Sequence, residues 1–129
     1  MKILVFGNSL VAQDSIAPKL LPLLSKKFPS VVFKEFDTAE NLEREGKDLI
    51  ILDSVLGIDR VMIISDLDQL SMGKSYSMHD FDLPITLRLL KKIGSIESVL
   101  IIGIPSDCLV ERALSEVSVI ISNLISKSV

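Results

Sequence analysis

A short apolar run near the start of the chain changes abruptly into a polar bend and then into a helical pattern. Residues 3–6 are apolar, Gly7-Asn8 interrupts the run, and apolar residues recur at helical spacing from Ile16 onward. This order predicts a buried strand, a loop and a helix, the first half of a βαβ unit. The loops that follow such strands lie at the carboxyl edge of the sheet, where α/β proteins bind ligands. Asn8 and Asp14 are therefore the first candidate site residues.

Apolar runs of strand length alternate with helical patterns along the rest of the chain. The link at residues 54–60 is too short for a crossover helix, so the strand after it is predicted to be antiparallel. The whole order predicts an α/β fold, a three-layer α/β/α sandwich around a mostly parallel five-stranded sheet with one antiparallel strand. The later strands are predicted at residues 31–36, 48–53, 61–64 and 98–102, and the helices at about 14–27, 39–46, 83–93 and 109–126. Glu40, Glu43 and Glu45 of the short second helix are expected to face solvent.

Length and composition favour one small domain. The chain has 129 residues, 48% of them hydrophobic, so residues 1–129 can bury a single aliphatic core. A net charge of −3 gives no support for a nucleic-acid partner. No apolar stretch approaches the ~20 residues that cross a bilayer, and no leader precedes the first strand. We therefore expect a cytoplasmic protein without a membrane partner, and a monomer because the aliphatic last helix is expected to pack internally.

Asp14, Asp53 and His79 each lie at or just beyond the predicted end of an element. Two carboxylates and an imidazole form an oxygen, oxygen and nitrogen donor set, which suits nickel or zinc. The same groups could serve acid–base catalysis. Ordinary roles stay open, since Asp is common at strand ends and helix caps and a lone His before a helix is often a surface group. Cys108, the only cysteine, is expected to pack against a helix, because His79 is the only histidine that could activate it.

Four segments, taken in order, resemble the successive motifs of the hydrogenase maturation endopeptidases. They are residues 7–14 (Gly-Asn-Ser-Leu-Val-Ala-Gln-Asp), residues 49–53 (Leu-Ile-Ile-Leu-Asp), residues 77–81 (Ser-Met-His-Asp-Phe) and residues 103–105 (Gly-Ile-Pro). The resemblance spans nearly the whole chain. It implies a small α/β endopeptidase of aspartic type that removes the C-terminal extension of a nickel–iron hydrogenase large-subunit precursor after nickel has been inserted.

By position, the resemblance assigns metal contacts to Asp14, Asp53 and His79, and catalysis to Asp14 and Asp53. The resemblance further implies that the substrate presents the nickel, which is not held permanently, and that the enzyme inspects the metal before it cuts. Asn8 is expected either to shape the loop through hydrogen bonds or simply to form its turn.

Two positions depart from the family pattern. Gln13-Asp14 stands where an acidic pair is common, and residues 37–40 (Asp-Thr-Ala-Glu) replace a glycine pair implicated in choosing the substrate. The loop after the second strand and the substrate could therefore differ from those of the family.

Two other functions remain open. A non-catalytic, metal-dependent binding module or chaperone for a hydrogenase large subunit would bind the same partner without shortening it. A small-ligand binding protein with incidental acids would instead hold Asp14, Asp53 and His79 far apart.

Overall fold

The structure, a computed structural model, describes residues 1–36, 41–70, 77–78 and 82–127. A six-stranded sheet lies at its centre. In chain order the strands are β1 Lys2–Phe6, β2 Val32–Phe36, β3 Asp48–Leu56, β4 Met62–Ile64, β5 Ser77–Met78 and β6 Ser98–Pro105. The described residues also form three α-helices, α1 Ile16–Lys27, α2 Asp82–Lys92 and α3 Val110–Lys127.

The order of strands across the sheet is β2-β1-β3-β6-β4, and β5 pairs separately with the end of β3. Strands β1, β2, β3 and β6 run parallel, whereas β4 runs antiparallel to β6. The predicted mostly parallel five-stranded sheet with one antiparallel strand is confirmed. The additional strand β5 has only two residues, too few to give a period-2 signal in the sequence.

Helices cover both faces of this sheet, which confirms the three-layer sandwich. On one face, called here the α1/α3 face, helices α1 and α3 pack side by side against β1, β3 and β6. Its buried residues include Ile3, Val5, Leu20, Leu24, Leu52, Ile102, Ala113, Val117 and Ile121. The opposite face, the α2 face, is covered by α2 and two short 3-10 helices, Leu42–Glu45 and Leu67–Leu70. Its buried residues include Leu4, Phe6, Leu49, Ile51, Val55, Ile64, Leu83, Leu87 and Ile101.

Two central strands, β3 and β6, are longer than their apolar runs indicated, and β6 continues to Pro105 rather than ending at residue 102. β3 was expected to end at Asp53, but it continues to Leu56 because Ser54 and Val55 pair with the end of β6. Polar residues such as Asp53 and Ser54 usually signal the end of a strand. Here the strand continues past both of them to Val55, which is buried. Asp53 therefore lies inside a central strand rather than in the loop that follows.

Glu45 does not face solvent as expected. Its carboxylate forms salt bridges with the Nζ atoms of Lys2 and Lys34, each at 2.8 Å, and its side chain is only 8% exposed. Lys2 begins β1 and Lys34 lies within β2, so Glu45 joins the 3-10 helix Leu42–Glu45 to the edge of the sheet. Hydrogen bonds from both lysines lower the pKa of this carboxyl.

The last helix packs internally, as the aliphatic pattern predicted. Ala113, Val117 and Ile121 of α3 are buried against the sheet. Within the described ranges, no helix is both long enough and apolar enough to cross a membrane. Residues 39–40 of the predicted second helix lie outside the described residues, as do residues 71–76.

Candidate functional site

The loop between β1 and α1 is closed on itself by backbone contacts. The N–H of Asn8 donates to the carbonyl oxygen of Asp14 at 2.8 Å, which joins the two ends of the loop. Gly7 has a φ of +145°, and a Cβ there would lie 2.6 Å from the Asp14 carbonyl oxygen and 2.7 Å from Cδ of Pro18. Only glycine fits such a conformation and such a close approach. Gly7 thus allows the loop to fold back and place Asp14 beside the end of β1.

Asn8 organises the interior of the same loop. Its Oδ1 accepts a hydrogen bond from the N–H of Leu10 at 2.9 Å, and its carbonyl oxygen accepts one from the N–H of Val11 at 3.0 Å. The Asp14 N–H then donates to the Val11 carbonyl at 2.9 Å. This is an Asx turn followed by a single turn of 3-10 helix, Ala12–Asp14. Asn8 therefore has the turn-forming role, and its hydrogen bonds fix the backbone that carries Asp14.

Asp14 reaches across to the end of β3. The hydroxyl of Ser54 donates a hydrogen bond to Oδ1 of Asp14 at 3.1 Å. Ser54 is 1% exposed, whereas Asp14 is half-buried. The carboxylate of Asp14 thus lies at the boundary between the sheet and solvent.

Asp53 approaches the same place from the opposite face of the sheet. Alternate residues of a strand point to opposite faces, so Asp53 shares the α2 face with Ile51 and Val55, while Ser54 points to the α1/α3 face. Asp53 is 1% exposed, and its Oδ1 accepts a hydrogen bond from the Ser54 N–H at 2.8 Å. The two predicted carboxylates therefore flank the end of β3, one from each face.

The strand next to Asp53 lacks a side chain at the level of the carboxylate. Asp53 pairs in register with Gly103 of β6. A Cβ at Gly103 would lie 2.9 Å from Cγ2 of Val55, closer than carbon atoms tolerate. Val55 therefore occupies the space that a side chain at position 103 would need, and glycine allows this close packing beside Asp53.

His79, the third predicted site residue, lies outside the described residues. Its sequence neighbour Met78 belongs to β5 and pairs with Val55, two residues beyond Asp53. The chain just before His79 is thus held against the same end of β3. Among the residues that the structure describes, no three His, Cys, Asp or Glu side chains form a group that could hold a metal ion.

The connections leave the sheet in opposite directions at this point. From β1 the chain runs through α1 to β2, on one side, whereas from β3 it runs to β4, on the far side of β6. A reversal of this kind opens a crevice at the carboxyl ends of the two neighbouring strands, and α/β proteins bind ligands there. Asp14 follows β1 and Asp53 lies near the end of β3, so both lie at this switch point.

Cys108 has the packing role that its isolation in the sequence indicated. It is partly buried against the α1/α3 face. Desolvation by burial raises the pKa of its thiol, Arg112 lowers it by a smaller amount, and Glu116 and Asp107 raise it slightly further. A raised pKa leaves little thiolate near neutral pH, so the Cys108 environment does not favour a nucleophile.

Ser54 and Gly103 are the site residues that sequence reasoning missed. A serine directly after Asp53 carries no recognisable signal, because its contact with Asp14 joins positions 40 residues apart. Gly103 stood in a motif, but its role depends on the register between β3 and β6, which periodicity does not give.

Comparison with known proteins supports the fold. No protein-family model matches this sequence, and no curated protein matches it by sequence. The NiFe hydrogenase maturation protease HycI from Thermococcus kodakarensis KOD1 is similar in structure, with a TM-score of 0.57 and 18% identity over 92% of this chain and 89% of that one. The hydrogenase 2 maturation peptidase from Thaumarchaeota archaeon SCGC_AB-539-E09 has a TM-score of 0.51 and 20% identity over 99% and 97%.

A third structure, an uncharacterized protein from Wolinella succinogenes, has a TM-score of 0.52 and 22% identity over 88% of this chain and 77% of that one. Identities of this size are informative about the fold alone. The chain therefore has the fold found in two hydrogenase maturation peptidases, across nearly its whole length.

Proposed function

We propose that residues 1–129 form one hydrogenase maturation endopeptidase domain, which removes the C-terminal extension of a nickel–iron hydrogenase large-subunit precursor after nickel insertion. The observation that carries this proposal is the hydrogen bond between Ser54 and Asp14, which brings the loop after β1 to the strand that contains Asp53. The fold shared with two maturation peptidases supports it.

In this proposal the nickel belongs to the substrate. Asp14, Asp53 and His79 supply two oxygens and one nitrogen, which suit a borderline divalent cation and leave coordination positions for the substrate's own ligands. Contact with the metal would then fix the scissile peptide at the crevice. A carboxylate could accept a proton from water as the water attacks the peptide carbonyl.

The two carboxylates have different access to a substrate. Asp14 is half-buried at the rim of the crevice, whereas Asp53 is 1% exposed. We assign the first contact to Asp14 and propose that Asp53 becomes accessible as the precursor docks.

The test combines the purified protein with a hydrogenase large-subunit precursor in nickel-loaded and nickel-free forms. Mass spectrometry of the precursor would report loss of the C-terminal extension. We expect cleavage of the nickel-loaded form alone, with Asp14→Asn and His79→Ala reducing the rate at least about a hundredfold. Glu97→Gln is the matched control, because Glu97 is exposed just before β6, at the opposite edge of the sheet.

Each result separates the two candidate functions. Nickel-dependent cleavage that is lost in Asp14→Asn and retained in Glu97→Gln supports the endopeptidase. Nickel-dependent binding without a shortened product supports a non-catalytic chaperone instead. Cleavage that does not change in Asp14→Asn would reject the proposed site.

A further inference from the structure

Three exposed apolar side chains stand at the carboxyl edge of the sheet, beside the crevice. Leu10 is 92% exposed, Leu109 is 72% exposed and Val11 is 37% exposed. We call these three residues the apolar rim. Exposed apolar side chains are unfavourable in water, so the free energy of the system falls when a partner covers them.

The topology places the members of the rim at the same edge of the sheet. Leu10 and Val11 precede α1, and Leu109 directly precedes α3. Both helices follow parallel strands and pack side by side on the same face, so both begin at the carboxyl edge. Asp14, which lies between Val11 and α1, therefore lies next to the rim in space as well as in sequence.

The loop that carries Leu10 is held rigidly. The N–H of Leu10 donates to Oδ1 of Asn8 at 2.9 Å, and the loop is closed by the bond from the Asn8 N–H to the Asp14 carbonyl. A side chain presented on a fixed backbone loses little conformational entropy when a partner binds it. Leu10 is thus exposed on a preorganised loop.

Acidic groups accompany the rim. Asp107 and Glu111, on either side of Leu109, are both exposed. The nearby cation Arg112 has Nε 3.5 Å from Oε1 of Glu116, within its own helix. Among the described residues beside Leu109, the charge available to a partner is therefore negative.

We propose that the apolar rim binds an apolar segment of the precursor polypeptide that carries basic side chains, and so positions the precursor chain against Asp14. This inference rests on the proposed function. A second copy of this chain bound to the rim would cover the crevice. A precursor bound to the rim would instead place its own polypeptide beside the carboxylate of Asp14. The apolar rim with its acidic neighbours and the position of Asp14 beside it therefore both fit the precursor as the partner that binds there.

Steady-state cleavage of the nickel-loaded precursor tests this inference in Leu10→Ser and Leu109→Ser. The matched control is Ile93→Ser, because Ile93 is 64% exposed beyond the end of α2. That end lies at the opposite edge of the sheet, where the N–H of Glu97 bonds to the carbonyl of Lys47, just before β3. We expect Leu10→Ser to raise KM about tenfold while kcat changes less than about twofold, since removing binding energy alone affects KM. KM should also rise with salt concentration in the wild type.

The outcomes distinguish this inference from the function on which it rests. If the wild type cleaves the precursor and both rim variants have the same KM as Ile93→Ser, the binding role of the rim is rejected. The proposed endopeptidase function is then retained. If the wild type does not cleave, the function itself fails. Sedimentation provides an independent measurement: self-association of the wild type that disappears in Leu10→Ser would make the rim a contact between copies and overturn the inference.

Discussion

The hydroxyl of Ser54 donates a hydrogen bond to the carboxylate of Asp14 across 3.1 Å, and so links the loop after β1 to the centre of the sheet. Ser54 lies in the strand that also carries Asp53, and it is buried. A buried hydroxyl has few rotamers available, so its bond orients the Asp14 carboxylate as well as attracting it. Ser54 is therefore a positioning residue for Asp14.

Removing this hydroxyl should reduce both function and stability. Ser54→Ala is expected to lower the rate of precursor cleavage about tenfold, as loss of an orienting partner does at other sites. The free energy of unfolding should fall by about 1 kcal/mol, the usual worth of one hydrogen bond. Denaturant unfolding and precursor cleavage measure the two effects.

Ser118 provides the matched control for this variant. It is also buried, at 4% exposure, but its Oγ makes no hydrogen bond to any described residue. Ser118→Ala should therefore be neutral or slightly stabilising, and cleavage should not change. Equal losses in the two serine variants would contradict the positioning role of Ser54.

Gly7→Ala should destabilise the protein through packing as well as through backbone strain. The new Cβ would meet the Asp14 carbonyl oxygen at 2.6 Å. Gly46 also has a positive φ, of +122°, yet nothing lies within 4 Å of a Cβ there. We expect Gly7→Ala to lose about 2 kcal/mol more than Gly46→Ala in denaturant unfolding, the typical cost of overpacking. Equal losses in the free energy of unfolding for the two variants would show that the positive φ alone, and not packing, determines the cost of the substitution.

Gly103→Ala should be destabilising because of one neighbour. Its Cβ would lie 2.9 Å from Cγ2 of Val55, and its φ requires no glycine. We expect a loss of about 1–3 kcal/mol in denaturant unfolding. In the double variant with Val55→Ala, which removes Cγ2, the added cost of Gly103→Ala should nearly disappear. Additive losses would mean that another contact excludes the methyl group.

Glu45 should make the stability depend on acid pH. Its pKa in the folded protein is lowered, chiefly by hydrogen bonds from Lys2 and Lys34, from an ordinary value of 4.5. Because the folded pKa lies below the unfolded one, the stabilisation is complete above about pH 4.5 and is lost as the pH falls through the folded pKa. Urea unfolding of wild type and Glu45→Gln should differ at neutral pH and converge under acid conditions.

Glu43→Gln controls for a general loss of negative charge, since Glu43 is exposed in the same 3-10 helix. Its unfolding midpoint should follow that of the wild type at every pH. A difference between wild type and Glu45→Gln that persists unchanged at low pH would reject the electrostatic explanation.

The fold could be predicted because its signals are local. Apolar runs marked the five main strands, and the short link predicted at residues 54–60 correctly required β4 to be antiparallel. The sequence pattern could not show that β3 continues beyond Asp53, because this extension depends on the pairing of Ser54 and Val55 with the end of β6.

The candidate site could be predicted only in part. Asp14 and Asp53 were expected near one edge, and the structure brings both to the end of β3. That they flank the strand from opposite faces follows from register, and the burial of Asp53 follows from tertiary packing. The metal set that includes His79 stays a prediction. Glu45 was expected to face solvent because no local sequence pattern indicates that it forms ion pairs with two lysines from neighbouring strands.

The order of strands also bears on how the chain reaches its folded state. β6 follows the other five described strands in the sequence, yet it lies between β3 and β4. Until Ser98–Pro105 has left the ribosome, β3 has one unpaired side and β4 has no neighbour in the sheet. Unpaired strand edges of this kind promote aggregation, so the nascent chain is most vulnerable between the emergence of β4 and that of β6. Insertion of β6 joins the two parts of the sheet and completes the surroundings of Asp53 in the same event.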